Sequence, residues 1–285
     1  MKNNLKKLGL LTIATFGLLA SCDSNTDDDV LSPPEETIVA QEVRLADETD
    51  LISEEVTNVV EDVFAADELS SSGRGPFMSD FLPDCVTITK VVTNNMVEKT
   101  IEFEGDCELP NGNVFSGTIH MSYENNPELQ TRIITYSLED FVFNGIAVEG
   151  SATIRRTRSN ENGVPQSVVE RSFEATWPDG SSASFSGTRT REWIAGYGSG
   201  VWADNVFLII GNGTFVSREG ITYTKEITTP LRRELSCRFI VSGVLEMTRN
   251  NLTASIDFGD GTCDDVAILT KPNGETEEIN LSRFR

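Results

Sequence analysis

The sequence has one His, no CxxC pair among its five Cys, and no apolar run longer than the twelve residues Leu8 to Leu19. A single His excludes multi-His metal sites and leaves little room for a Ser-His or Cys-His catalytic system. Twenty-three Lys and Arg stand against forty-five Asp and Glu, a formal net charge of -22. That balance excludes a nucleic-acid binder, which needs a basic surface to replace counterions. GxSxG, HExxH and P-loop motifs are absent, and no residues are assigned a catalytic role. Acidic pairs are too common to nominate a glycosidase dyad, which requires a known separation in space. A cofactor is not expected, nor a bound metal. Asp257 to Asp265 is rich in carboxylates but lacks the EF-hand spacing, so it is read as a solvated turn.

What is present begins with an export signal. Lys2, Lys6 and Lys7 precede the apolar run, which is too short to span a membrane but suits a signal peptide over residues 1–21. The run ends in Leu19-Ala20-Ser21-Cys22, which resembles the bacterial lipobox. That resemblance implies cleavage before Cys22 and lipidation of Cys22, holding the mature chain on a membrane by several acyl chains. Asp23-Ser24-Asn25-Thr26-Asp27-Asp28-Asp29 follows, an acidic run similar to the surface-export signals of Bacteroidota lipoproteins. The expected location is therefore the bacterial outer membrane, facing the cell exterior. Residues 23–69 carry sixteen acids against one Arg, so most of the acidity is expected in a tether over 22–49.

From Leu51 the apolar residues Leu51, Ile52, Val56, Val59, Val60, Val63 and Phe64 recur at helical spacing, with Glu54, Glu55, Glu61 and Asp62 off the stripe. This predicts an amphipathic helix over 50–66, either docked on its own domain or only marginally ordered, in preference to one that binds a partner. Ser70 to Pro76 reads as a linker within 67–76. Beyond it the period becomes two. Ile119, Met121 and Tyr123, then Phe173, Ala175 and Trp177, then Leu252, Ala254, Ile256 and Phe258 each alternate with polar residues. The body, 77–285, is expected to be all-β: an antiparallel meander forming a curved open sheet, a sandwich or a partly closed barrel. A weak internal repeat runs through it as Pro110-Asn111-Gly112, Pro178-Asp179-Gly180 and Pro272-Asn273-Gly274, each a hairpin turn with Pro presetting φ and Gly taking the left-handed position.

Cys85 and Cys107 bracket Asn94-Asn95, and Cys237 and Cys263 bracket Asn250, so each pair is expected to close one hairpin with a disulfide. The alternatives are free buried thiols or a four-Cys zinc site, the latter disfavoured by the spacing. The lipobox, the acidic tether, the helix, Asp84-Cys85-Val86-Thr87-Ile88-Thr89, Ile101 to Cys107 and Phe143 to Gly150 together resemble uncharacterised Bacteroidota lipoproteins. That family carries no activity to transfer.

Two segments hold candidate binding residues. Trp193, Tyr197 and Trp202 lie among glycines and offer faces for stacking on a sugar or a partner, or else complete the core. Arg155, Arg156, Arg171, Arg189 and Arg191, with Arg158, concentrate mid-body. They could grip an anionic glycan or phosphate, or pair across strands with Glu170, Glu174 and Glu192. His120 is expected on a polar strand face. The leading expectation is a non-enzymatic, surface-displayed binding or adhesion module for a glycan or another envelope protein. A periplasm-facing scaffold or lipid carrier comes second and a hydrolase third, and the oligomeric state is left open.

Overall fold

The computed structural model describes residues 37–71 and 79–281. Cys22, the signal peptide, the acidic run and most of the linker lie outside the described residues. Among the described residues one α-helix, α1 (Ala40–Leu69), precedes thirteen strands: β1 (Val86–Val92), β2 (Met96–Glu108), β3 (Val114–Glu124), β4 (Thr131–Phe143), β5 (Ile146–Thr157), β6 (Gln166–Thr176), β7 (Ser182–Ala195), β8 (Val206–Val216), β9 (Thr222–Glu234), β10 (Ile240–Arg249), β11 (Leu252–Asp260), β12 (Val266–Thr270) and β13 (Thr276–Asn280). They form a single antiparallel sheet in strict sequence order, open between β1 and β13. Of the three architectures compatible with the period-two pattern, the open sheet is the one found.

The turns follow their chemistry. At each Pro-Asn/Asp-Gly site the Gly has positive φ and donates its N–H three residues back: Gly112 to Leu109, Gly180 to Trp177 and Gly274 to Lys271, at 2.8, 2.9 and 2.9 Å. Disulfides join Cys85 to Cys107 and Cys237 to Cys263, with S–S distances of 2.01 and 2.06 Å. They staple the β1–β2 and β10–β11 hairpins.

The helix is longer than its apolar stripe and differently placed from an amphipathic surface helix. It starts at Ala40 and runs to Leu69, with Glu42 accepting the Val39 N–H at its start. Every residue from Leu51 to Ala65 is buried, which is about four turns enclosed on all sides. The off-stripe acids Glu54, Glu55, Glu61 and Asp62 are buried with the rest. A helix with no solvent face needs partners for its carboxylates, and the inner face of the sheet supplies them.

Candidate functional site

The inner face alternates apolar residues with cations. Asp50 is met by Arg171 at 2.8 Å, Lys225 at 2.8 Å and Arg189 at 3.5 Å. Glu54 receives Arg191 at 3.1 Å and Arg171 at 3.5 Å, and Glu55 receives Arg233 at 3.0 Å. Glu61 lies against Arg191, whose other amino group donates to Asn58, and against Arg156 at 3.8 Å. Nearer the end of α1, Asp67 is bonded by Lys90, Lys99 and Tyr123. Glu68 collects Arg156 at 3.3 Å, Arg158 at 3.6 Å, Arg132 at 3.9 Å and the Tyr197 hydroxyl at 2.8 Å. Burial opposes the charge on Asp50, but Lys225, Arg189 and Arg171 outweigh it and hold the carboxyl below its ordinary range. Burial likewise lowers Lys225 to about 8, against the pull of Asp50. Among the described residues no cation pairs with Asp62: burial raises it to about 6, opposed by a hydrogen bond from Ser79 and aided by Asp80.

These contacts relocate the candidate arginines. Arg156, Arg171, Arg189 and Arg191 share one face, but it is the interior, and they pair with acids of α1 in place of Glu170, Glu174 and Glu192. Arg155 falls on the opposite, exposed face because side chains alternate along β5. The reason is the enclosed helix: buried carboxylates draw the cations inward.

The aromatic segment is not an exposed stacking platform either. Trp193 and Trp202 are buried, at 5% and 6% of their exposed area. Trp193 donates its indole N–H to Asn205 at 3.0 Å, and Trp202 stacks on Phe81 with ring centres 4.4 Å apart. The backbone N–H of Trp202 is held by Asp80 at 2.6 Å. Arg156 lies 5.3 Å from the rings of both Trp193 and Tyr197, so the segment closes over the C-terminal half of α1. A void of about 30 Å³ remains between α1 and β7–β11, lined by Leu51, Arg189, Ile209, Leu231 and Phe258. That is room for a water or two, not for an acyl chain.

The outer face has another order. Following the strand register from β1, Thr89 faces Thr100, which faces His120, then Ser137, Ser151, Ser172 and Ser186 on β4 to β7. The same row continues through Thr214, Thr224, Thr248 and Thr253 on β8 to β11. Eleven strands therefore present ten hydroxyls and one imidazole in line, at about 4.8 Å per strand. No single residue spacing in the sequence reveals this row, since hairpin lengths and bulges change the interval at every step.

Two furrows lie on the row. One, about 490 Å³ across β2–β5, is lined by Glu98, Thr100, His120, Ser122, Thr135, Ser137, Ser151 and Thr153, with backbone of the inward-facing Lys99 and Tyr136 as floor. The other, about 410 Å³ across β7–β10, is lined by Ser186, Asn212, Thr214, Thr224, Glu226, Glu246 and Thr248. Gly187, beside Ser186, has φ +149° and lies so close to the backbone of Asn212 that a Cβ has no room. His120 bonds Glu139 at 2.5 Å, and Ser122 bonds Thr135 at 2.9 Å. The neighbouring outer rows hold Glu98, Glu170, Glu226 and Glu246 on one side and Glu102, Glu139, Glu149 and Glu174 on the other, with no Lys or Arg in register between them. This surface offers many neutral donors and acceptors inside an acidic border.

Among the described residues no group of three or more His, Cys, Asp or Glu is placed to hold a metal ion. Asp257 and Asp260 instead accept the backbone N–H of Gly259 and Thr262 within their own turns. Among the described helices none is long and apolar enough to cross a membrane. Comparison with family models, with curated proteins and with solved structures finds no match.

Proposed function

We propose that this chain is an exported lipoprotein, anchored through Cys22, that acts as a non-enzymatic binding module and presents the outer face of its sheet to a glycan. The hydroxyl row across β1–β11 carries the reading: a polyhydroxylated chain is recognised by many small donors and acceptors in series, and two furrows lie along that line. The acidic border selects against polyanions, so the ligand is a neutral or amine-bearing polysaccharide. This replaces an anionic glycan gripped by the mid-body arginines, since all of them but the exposed Arg155 are engaged with acids of α1.

The test is retention of the full chain, solubilised in mild detergent, on immobilised neutral, amino-sugar and uronate polysaccharides at low and moderate salt. Retention on the first two classes is expected. Retention on uronate polymers alone, or on none, removes the proposal. Brief protease treatment of intact cells, with a periplasmic protein as leakage control, checks surface display independently. Loss of the domain is the expected result.

A further inference from the structure

The two edges of the sheet differ. The β13 edge is five residues long, carries Glu277 and Glu278, and has the carbonyl of Asn280 covered by the Arg44 side chain at 3.1 Å. Charged, short edges resist pairing with another strand. The β1 edge is seven residues long, contains no acid and has no strand on its open side among the described residues. Its single charge, Lys90, is bonded to Asp67 at 2.8 Å. Of nine large apolar side chains left exposed among the described residues, Ile88, Val91, Val92 and Met96 belong to this one hairpin.

Backbone direction is fixed as well. Glu104 donates to the Cys85 carbonyl and Thr93 to that of Met96, so the odd-numbered residues of β1 bond to β2. The N–H and C=O groups of Ile88, Lys90 and Val92 therefore point to the open side. We propose that a second copy of this chain occupies that edge, the two β1 strands pairing antiparallel with Thr89 on the two-fold axis.

The register follows from the residues. Full overlap of 86–92 with itself centres on Thr89 and sets Ile88 opposite Lys90, Val86 opposite Val92 and Thr87 opposite Val91. A shift of one residue brings open-edge groups against groups already bonded to β2. Centring on Lys90 opposes two ammonium groups. Thr89 is also the first member of the hydroxyl row, so this pairing runs the row without interruption into the second copy. The pairing does not depend on glycan binding, although the two would share that surface. A seven-residue edge is small against the roughly 1,200 Å² of a stable interface, so association is expected at high protein concentration.

Cysteine cross-linking of the full chain in detergent tests it. Thr89 residues form a non-hydrogen-bonded pair at the axis, where side chains approach most closely, so Thr89→Cys is expected to give a covalent dimer on mild oxidation. Thr176→Cys, exposed on the outer face of β6, is the control and should not. Sedimentation of the unmodified chain should show a monomer–dimer equilibrium that Ile88→Lys, which sets a second ammonium opposite Lys90, shifts to monomer. A monomer at all concentrations, with no Thr89→Cys dimer above the control, overturns the proposal. Capture of Thr89→Cys by a different envelope protein in place of itself overturns it too.

Discussion

The two faces of this sheet are built on the same two-residue period and hold opposite chemistry. Inward positions carry the apolar core together with Arg132, Arg156, Arg171, Arg189, Arg191, Lys225 and Arg233, all buried, while outward positions carry hydroxyls and carboxylates. The cause is α1. An acidic helix enclosed on all sides cannot leave its carboxylates unpaired, so the scarce cations of an acidic chain are placed where the helix needs them. The outside is left polar, acidic and nearly free of positive charge along the hydroxyl row. A face that holds the fold together and a face that is free to bind are thus separated by one peptide unit along each strand.

The largest effect is expected where the inner face is broken. Arg191 contacts Glu54, Asn58 and Glu61 from a fully buried position. Arg191→Met leaves those groups without their main partner and should cost about 3–5 kcal/mol by urea denaturation. Adding Glu61→Gln should recover part of that loss, because the stranded charge goes with it. No recovery would mean that Arg191 acts by packing alone, over the Phe207 ring at 4.3 Å, and the contrast between faces would lose its electrostatic basis.

Next in size is Trp202, which a binding role would place outside and the structure places inside. Trp202→Ala removes the stack on Phe81 and should destabilise by about 3 kcal/mol or more. It should change polysaccharide retention only in proportion to unfolded protein. Lost retention in a fully folded Trp202→Ala chain would return the aromatic segment to candidacy.

Asp62 gives a smaller effect with a defined sign. Its pKa rises from 3.8 to about 6 on burial, so between those values the folded chain holds a proton that the unfolded chain has released. Stability from this group is present below about pH 4, declines as pH rises to about 6, and stays lost above. Asp50 runs the other way: its lowered pKa stabilises above the ordinary carboxylate range and is lost in stronger acid. Asp62→Asn should therefore raise stability by about 2–3 kcal/mol at pH 7.5 and by little at pH 4. An equal gain at both pH values would show that Asp62 is not the titrating group.

Much of the fold was legible in the residues. Period two, the Pro-Asn/Asp-Gly turns and the symmetric Cys spacing anticipate the antiparallel sheet, its hairpins and both disulfides. The helix was legible in its middle, where Val56, Val59, Val60 and Val63 mark the stripe, but not in its first ten residues, where the buried positions are only Val43, Ala46 and Thr49. Its acids looked solvated because nothing local shows that a sheet surrounds them. The sign was in the strands: Arg189 and Arg191 share the parity of Phe185 and Trp193, and Lys225 that of Tyr223 and Ile227. Cations in phase with a core face mean a buried counter-charge. The hydroxyl row was hidden for another reason. Register shifts such as those between Ser137 and Phe141 or Ile209 and Asn212 decouple its members' spacing in sequence from their alignment in space.

The smallest effect on stability is expected from the outer row, and there the contrast becomes sharpest. Ser137, Ser151 and Ser172 are exposed and adjacent across β4, β5 and β6. Valine fits an exposed strand position at least as well as serine, so each Ser→Val change should stay within about 0.5 kcal/mol. The triple variant removes three consecutive hydroxyls and should lose most polysaccharide retention at unchanged thermal midpoint. If stability falls by several kcal/mol instead, the outer face is engaged in the fold as the inner face is. If neither stability nor retention moves, the row is only the solvent side of a sheet, and a ligand must be sought on its edges.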